Sequence, residues 1–219
     1  EFIGNLAHEL KTPFFTVQGY ILTLLEGKIK DRKLIQKYLE KASNATDRLG
    51  FIIQDVDLIT QFETGITNLK IERFDICDLI RHLVDSFEIK MKQKGAEITY
   101  DFGNDKSIFV NADSLRISQV MSNLIENSLK YGVENGTIEI LTKNISKEKL
   151  LIRVIDNGQG ISEEDLPRVF ERFYRVDKTR NRQEGGSGLG LAIVKHIVEA
   201  HNEIVYVESS LNVGSEFSF

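Results

Sequence analysis

The sequence predicts a chain of two domains, a helical hairpin followed by an α+β sandwich. Apolar residues recur at helical spacing through the first 63 residues. From residue 69 onward, short β-prone runs alternate with amphipathic helices, which is typical of helices packed on one face of a mixed sheet. Six of the 16 glycines fall between residues 158 and 190. That clustering indicates a specialised loop region in the second domain.

Composition narrows the class of protein. The 219 residues are 41% hydrophobic and 28% charged, as in an ordinary globular protein. The net charge of −5 gives no reason to expect nucleic-acid binding. The single cysteine, Cys77, excludes an internal disulfide and fits a reducing compartment. We expect neither a membrane span nor a signal peptide. Because the helical pattern is already under way at residues 1–3, without a cap, we expect the chain to be part of a longer protein.

Residues 1–27 are predicted to form the first helix. His8 lies off its apolar stripe, so we expect it to face outward together with Thr12, one turn further on. Pro13 removes a backbone donor and predicts a kink or weak point. An outward imidazole beside Glu9 is either a solvated surface histidine or a nucleophile, and this stretch alone leaves both open. The stripe consists of Leu6, Leu10, Phe14, Val17, Ile21 and Leu24.

Residues 32–63 are predicted to form the second helix, with Asp31 as its N-cap. Two helices joined by a short loop form a hairpin, which buries too little surface alone. We therefore expect two copies to form a dimeric four-helix bundle. The alternative is that the hairpin packs against the rest of its own chain. The apolar stripe, spaced like the seam of a bundle, consists of Ile35, Leu39, Ala42, Thr46, Leu49, Ile53 and Val56.

A linker is predicted at residues 64–68, and the elements of the second domain follow it. Asp75 and Asp113 are the expected helix caps. The loop from about residue 156 to 186 is too long for a simple connection, which indicates a binding loop or a lid. Helices are predicted at 75–92, 113–131 and 187–201. Strands are predicted at 69–74, 96–102, 107–110, 137–144, 149–156, 203–208 and 214–219.

The helix at 113–131 carries a polar cluster. Asn123, Asn127 and Lys130 recur at helical spacing on one face, and Glu126 is expected to share it. Amides, a carboxylate and an ammonium facing one way suit a magnesium ion bound to phosphates, since Mg²⁺ takes few protein oxygens. The alternative is a solvated polar face.

Two glycine-containing clusters border the long loop. Asp156 ends a predicted strand and can accept a hydrogen bond from an amino group such as that of adenine. Gly158 and Gly160, which follow Asp156 in the sequence, allow the backbone to approach a ligand closely. The alternative is that this glycine pattern marks only a β-turn. The run 185–191 leads into a helix, where free amides can bind an anion. It lacks the spacing of the dinucleotide fingerprint and the lysine of a P-loop.

The segment 170–175 combines three aromatic residues with two arginines. Arg172 and Arg175 could reach a phosphate group, because guanidinium forks match phosphate oxygens. The alternative is an amphipathic lid that packs on the core.

Taken together, these motifs identify a family. Residues 8–13 (HELKTP) resemble its phospho-acceptor H box, 123–131 its N box, and 156–160 its first glycine box. Residues 170–173 resemble its F box and 186–190 its second glycine box. All five occur in the expected order across the whole chain. The chain resembles the catalytic core of the sensor histidine kinases of bacterial two-component systems.

The resemblance implies a dimerisation and histidine phosphotransfer domain at residues 1–66 and a Bergerat-type ATP-binding sandwich at 67–219. His8 would attack the γ-phosphate of ATP, and Glu9 would orient the imidazole and take its proton. Thr12 would orient a water molecule in the reverse, phosphatase reaction on the regulator.

The resemblance also implies roles at the nucleotide. Asn127 would hold Mg²⁺ with Asn123 nearby, and Lys130 and Arg175 would contact phosphates. Tyr131 would pack beside adenine. The remaining ATP-binding positions would be Asp156, Gly158, Gly160, Ile161, Gly186, Ser187, Gly188, Leu189, Gly190 and, more weakly, Ser215.

The expected partners are a second copy of the chain and the receiver domain of a response regulator. The regulator would dock on the face of Phe15, Gly19 and Tyr20 beside the histidine. The chain would be the cytoplasmic portion of a protein that absent N-terminal segments anchor in the cell membrane. Two alternatives are a scaffold that keeps the fold without the activity, and an ATPase related to chaperones or mismatch-repair proteins. The histidine-bearing hairpin argues against the second.

Overall fold

The computed structural model describes residues 2–63, 69–146, 148–176 and 187–219. The chain divides into two compact units, Glu1–Glu63 and Thr64–Phe219. The predicted linker at 64–68 lies outside the described residues. No helix within the described ranges is long and apolar enough to cross a membrane.

The first unit is the predicted helical hairpin. Its helices are α1 (Phe2–Leu25) and α2 (Arg32–Glu63). They run antiparallel, since the Tyr20 ring lies 5.2 Å from Tyr38 near the turn while Glu9 reaches Arg48 further away. Asp31 caps α2 as predicted, because its Oδ1 accepts a hydrogen bond from the Lys33 amide at 2.9 Å.

The apolar stripes of the hairpin are wider than the contact between its own two helices. On α2 the buried positions include Ala42, Ala45 and Ile52, whereas Leu39 and Ile53 of the predicted stripe are each 53% exposed. On α1, Pro13 is buried within a helix that continues through it. Phe14 and Ile21 of the predicted stripe are exposed. Neither stripe is therefore buried along its whole length within a single chain, and an apolar flank stays uncovered.

The second unit contains a five-stranded mixed sheet and a small two-stranded one. The elements are β1 (Glu72–Asp75), α3 (Ile76–Ser86), α4 (Glu88–Lys94), β2 (Glu97–Asp101), β3 (Phe109–Ala112), α5 (Ser114–Tyr131), β4 (Thr137–Asn144), β5 (Leu150–Asp156), a short 3₁₀ helix (Leu166–Arg168), α6 (Gly190–Ala200), β6 (Tyr206–Ser210) and β7 (Gly214–Ser218). The large sheet has the order β2-β4-β5-β7-β6, with β2 parallel to β4 and the other pairs antiparallel.

Helices cover one face of the large sheet, as predicted. Alternate residues of the central strands are buried on this face, for example Ile140 and Val154. Helix α5 contacts β4 and β5 and packs beside α6 and α3. The intervening strand residues, such as Glu139 and Arg153, lie on the opposite face. The core therefore sits between the sheet and α5, and the carboxyl end of β5 opens next to the end of that helix.

Two predicted helix boundaries are wrong for identifiable reasons. The helix predicted at 75–92 is two helices, because Phe87 ends α3, its amide donating to the Val84 carbonyl. The helix predicted to start at 187 starts at Gly190, since Gly188 has a left-handed φ of 72°. Both predicted aspartate caps are confirmed. Asp75 accepts from the Cys77 amide at 2.9 Å and Asp113 from the Arg116 amide at 3.1 Å.

Candidate functional site

His8 stands on the exposed side of α1 together with Thr12. Both side chains face away from α2, as their spacing predicted. The imidazole is therefore accessible on the hairpin.

Glu9 points in a different direction from His8. Its Oε2 lies 3.6 Å from Nη2 of Arg48 on α2, and the two side chains are only 20% and 29% exposed. Neighbouring residues of an α-helix project about 100° apart, so both side chains cannot face the same way. Sequence reasoning missed Arg48, because helical periodicity does not show which residues of two helices come opposite each other.

The polar cluster on α5 meets the start of α6 at Asn123. A Cβ built on Gly190 would lie 3.5 Å from the Asn123 Oδ1. The Nδ2 of Asn123 is buried and has no hydrogen-bond partner among the described residues. A buried donor without a partner is costly, and here it lies next to a helix N-terminus, where anions are favoured. The N box and the second glycine box thus lie against each other at this point.

Other members of the N box are also placed by contacts. The Lys130 Nζ lies 4.8 Å from the centre of the Tyr131 ring, at the end of α5 nearest the glycine loop. Glu126 instead forms an ion pair with Lys90 of α4 at 2.7 Å. The Glu126 carboxylate is therefore paired with α4, although its position on the helix is next to Asn123 and Lys130.

Asp156 is fixed between the end of β5 and α5. Its Oδ2 accepts a hydrogen bond from the Ser128 hydroxyl at 3.1 Å, and its Oδ1 accepts from the Gly158 amide at 2.9 Å. Burial raises the pKa of this carboxyl group, and hydrogen bonds from Gly158, Ser128 and the Ser215 amide offset only part of that effect. The site thus contains an oriented, half-buried carboxylate.

The loop that carries the first glycine box, residues 156–161 (the first glycine loop), packs against α5 and the β6–β7 hairpin. A Cβ on Gly158 would come 2.7 Å from the Tyr131 carbonyl oxygen. One on Gly160, where φ is 68°, would come 2.0 Å from the Ser210 carbonyl oxygen. The Ile161 amide donates to the Ser209 hydroxyl at 2.8 Å. Glycine is therefore required at both positions, and the loop is held at its far end.

Three residues that were not predicted also contribute to this site, namely Ser209, Gly214 and Ser128. Ser209 links the loop to Ser215, with their hydroxyl oxygens 2.9 Å apart, and Ser215 is itself buried. Gly214 has a φ of 141°, and a Cβ there would come 2.0 Å from the Asp156 carbonyl oxygen. Ser128 had a detectable signal, because it is a polar residue four positions after buried Leu124 on the core face of α5.

The aromatic segment packs on both the sheet and the second glycine box. The Phe173 amide donates to the Gly188 carbonyl oxygen at 2.9 Å. The Phe170 ring meets Phe217 of β7 edge-on, with centroids 6.3 Å apart. The F box and the Gly188 turn therefore form one unit beside the start of α6, and Arg175 lies half-buried at its end.

Two further predicted residues lie at the same turn. Leu189 is fully buried, so its side chain anchors the turn in the core. Its amide donates to the Ser187 hydroxyl at 3.2 Å. Gly186, also predicted to bind ATP, lies outside the described residues.

Two family models match the chain. Residues 1–65 match the His Kinase A (phospho-acceptor) domain. Residues 112–219 match the histidine kinase-, DNA gyrase B- and HSP90-like ATPase family. The first match contains His8, and the second contains Asn123, Asp156 and the glycine boxes.

Curated relatives align with almost the whole chain. The sensor histidine kinase WalK of Bacillus subtilis is 34% identical over the whole chain, and the chain covers 36% of that relative. The sensor protein kinase WalK of Staphylococcus aureus is 35% identical over 95% of the chain, which covers 50% of that relative. The chain thus spans half or less of the length of these relatives.

Solved histidine kinases share the fold. AdeS of Acinetobacter baumannii is 27% identical with a TM-score of 0.77, over 96% of this chain and 95% of AdeS. ShkA, solved in complex with AMPPNP, is 26% identical with a TM-score of 0.75, over the whole chain and 45% of ShkA. ThkA, solved in complex with the response regulator protein TrrA, is 25% identical with a TM-score of 0.76, over the whole chain and 60% of ThkA. The chain belongs to the sensor histidine kinases and comprises their phospho-acceptor and ATPase domains.

Proposed function

We propose that the chain uses ATP to phosphorylate His8 and then transfers the phosphoryl group to an aspartate of a response regulator. This proposal rests on an exposed histidine in a hairpin that matches the phospho-acceptor family. The same chain contains a unit that matches the ATPase family, in which the N box, both glycine boxes and the F box lie close together. Residues 1–66 would serve dimerisation and phosphotransfer, and residues 67–219 would bind ATP.

The nucleotide would bind between α5, the first glycine loop and the start of α6. The Asp156 carboxylate would accept a hydrogen bond from the adenine amino group, and Tyr131 would pack beside the ring. The structure of ShkA, solved in complex with AMPPNP, supports nucleotide binding by this fold. The other contributors would be Gly158, Gly160, Ile161, Gly186, Ser187, Gly188, Leu189, Gly190 and Ser215.

The phosphates and a magnesium ion would lie along the polar face of α5. The side-chain oxygen of Asn127 would hold Mg²⁺, which prefers oxygen ligands and neutralises phosphate charge when bound. The unpartnered Nδ2 of Asn123 supports this placement, because a phosphate oxygen would satisfy it. Lys130 and Arg175 would add positive charge.

Phosphorylation would follow from the exposure of His8. The Nε2 lone pair would form the bond to the γ-phosphorus as the bond to the ADP oxygen breaks. Glu9 would accept the proton from the imidazole. The phosphoryl group would then pass to a receiver aspartate, and the complex of ThkA with TrrA supports such a partner.

The exposed apolar flank of the hairpin supports a homodimer, because a second copy would cover it. Thr12 would orient a water molecule for dephosphorylation of the regulator. Anchoring in the cell membrane would depend on segments outside this chain. The chain spans about a third to a half of the length of its relatives.

Incubation of the 219-residue chain with Mg²⁺ and ATP labelled at the γ-phosphate tests the kinase activity. We expect label that is stable to base and labile to acid in the wild type, and none in His8→Ala. Asn127→Ala should abolish labelling while the protein stays dimeric. Label that persists in His8→Ala would overturn the proposal. Steady ATP hydrolysis unaffected by His8→Ala would instead favour an ATPase of the chaperone or mismatch-repair kind.

Thr12→Ala tests the phosphatase activity separately. We expect this variant to dephosphorylate a phosphorylated receiver domain at least about tenfold more slowly, because the positioned water is lost. Its autophosphorylation should change much less. Equal losses in both reactions would contradict a role of Thr12 that is specific to the phosphatase reaction.

A further inference from the structure

The carboxylate of Glu9 has two possible partners on different sides of α1. His8 precedes it in the sequence, but consecutive helical residues diverge by about 100°. Arg48 of α2 lies opposite it, with Nη2 3.6 Å from Oε2. In the structure the carboxylate is turned toward the guanidinium, which is the side away from the exposed face that carries His8.

The contact with Arg48 is suited to being broken and remade. At 3.6 Å it is an electrostatic contact longer than a hydrogen bond. Both side chains are more than two-thirds buried, so solvent and salt screen the pair less than a fully exposed one. Rotation of the Glu9 side chain toward the imidazole must lengthen its distance to Arg48. The two interactions of Glu9 therefore compete.

We propose that Arg48 is a positioning residue for His8 phosphorylation, because it holds Glu9 on the α2 side of the helix and so sets how often Glu9 reaches the imidazole. The inference rests on the proposed role of Glu9 as proton acceptor. Arg48 itself does not touch the reacting atoms. Arg48 acts by changing how often the Glu9 side chain occupies the rotamer that faces α2.

The charge-removing substitution Arg48→Gln tests this inference in the full 219-residue chain. We expect the rate of His8 labelling at saturating ATP to rise about two- to fivefold, the shift expected from losing one partly screened ion pair. The KM for ATP should stay unchanged, because the pair lies in the hairpin and not among the nucleotide-binding residues. Arg48→Lys keeps the charge and should label close to the wild-type rate.

A double-mutant cycle separates positioning from a structural role. In a Glu9→Gln background, Arg48→Gln should have no further effect on the labelling rate, since its only route to His8 has been removed. Arg32→Gln, an equivalent change at the exposed start of α2, serves as the matched control and should change nothing. Circular dichroism and light scattering establish that each variant is folded and dimeric.

The possible failures of the two proposals can be distinguished. A wild-type chain that acquires no label on His8 would overturn the proposed function, and this inference with it. A wild type that labels, combined with Arg48→Gln that labels at the same rate or more slowly, would overturn the inference alone. The same would follow if Arg48→Gln had an equal effect with and without the Glu9 carboxylate.

Discussion

Asp156 is the residue at which the chemistry of the nucleotide site can be tested most simply. Its carboxylate is oriented by Ser128 and by the Gly158 amide, and burial raises its pKa. The charged form is the stronger acceptor for an adenine amino group. Protonation therefore weakens binding, and it does so at a higher pH than for an ordinary aspartate with a pKa of about 3.9.

We predict that Asp156→Asn lowers the affinity for ATP about 10- to 100-fold, the cost of replacing a charged acceptor. Wild-type affinity should fall as the pH decreases toward the raised pKa, whereas the variant should lack this dependence. Nucleotide titration by calorimetry across that range measures both effects. Wild-type affinity in the variant would contradict the assigned role of Asp156.

The fold should not depend on the charge of Asp156. Because the folded-state pKa is raised, the contribution of this group to stability is present below the unfolded pKa and is lost as the pH rises through the folded pKa. The variant should consequently be at least as stable as the wild type at neutral pH. Thermal unfolding provides this control.

Individual residues were predictable from sequence when their role was local. The caps Asp31, Asp75 and Asp113 follow from their position before apolar runs, and each carboxylate accepts a hydrogen bond from a backbone amide, as expected. Arg48 and Ser209 act through partners on other elements. No spacing rule identifies such partners before the fold is known.

At the scale of elements, the first glycine loop depends on close backbone contact. We predict that Gly160→Ala destabilises the second unit by about 1–3 kcal/mol, because φ is 68° and a Cβ would meet the Ser210 carbonyl oxygen. Nucleotide affinity should fall with it. Gly50→Ala, in the interior of α2 with open space around it, should stabilise the protein by about 0.5–1 kcal/mol. Urea denaturation compares the two, and an equal effect would contradict the close-contact argument.

The proposed dimer should depend on apolar side chains of α2 that are exposed within a single chain. Leu39 and Ile53 belong to the predicted stripe of α2, yet each is half exposed within one chain. We predict that Leu39→Ser with Ile53→Ser raises the dimer dissociation constant at least about a hundredfold, since both copies lose two buried aliphatic side chains. Leu115→Ser, which removes a 70% exposed leucine from α5, is the matched control. Light scattering that shows an unchanged dimer would contradict the proposed interface.

Element boundaries were predictable where a cap or a hydrophobic period marked them, as for α2, β4 and β5. They were wrong where a tertiary contact decided the local conformation. Phe87 ends α3 as a buried residue, although its sequence context continues the helical pattern. Gly188 delays the start of α6 because its carbonyl oxygen bonds to the Phe173 amide. That partner lies on another segment, so helix periodicity could not reveal it.

At the scale of the whole molecule, the order of motifs was more informative than any one of them. His8 alone was compatible with a surface histidine, and Asp156 alone with a β-turn. The structure brings the N box, both glycine boxes and the F box into contact around the end of α5 and the start of α6. One unit of the chain therefore brings together the motifs that match the ATPase family, and the other carries an exposed histidine in a hairpin that matches the phospho-acceptor family.

The measurement that tests the central claim most directly is identification of the phosphorylated residue. The 219-residue chain is incubated with ATP and Mg²⁺, digested at neutral to alkaline pH, and its peptides are analysed by mass spectrometry. We predict a single phosphoryl group on His8, formed in the wild type and absent when Asn127 is replaced by alanine. Phosphoryl transfer to another residue, such as His82 or His201, or phosphorylation of His8 without Asn127, would contradict the account.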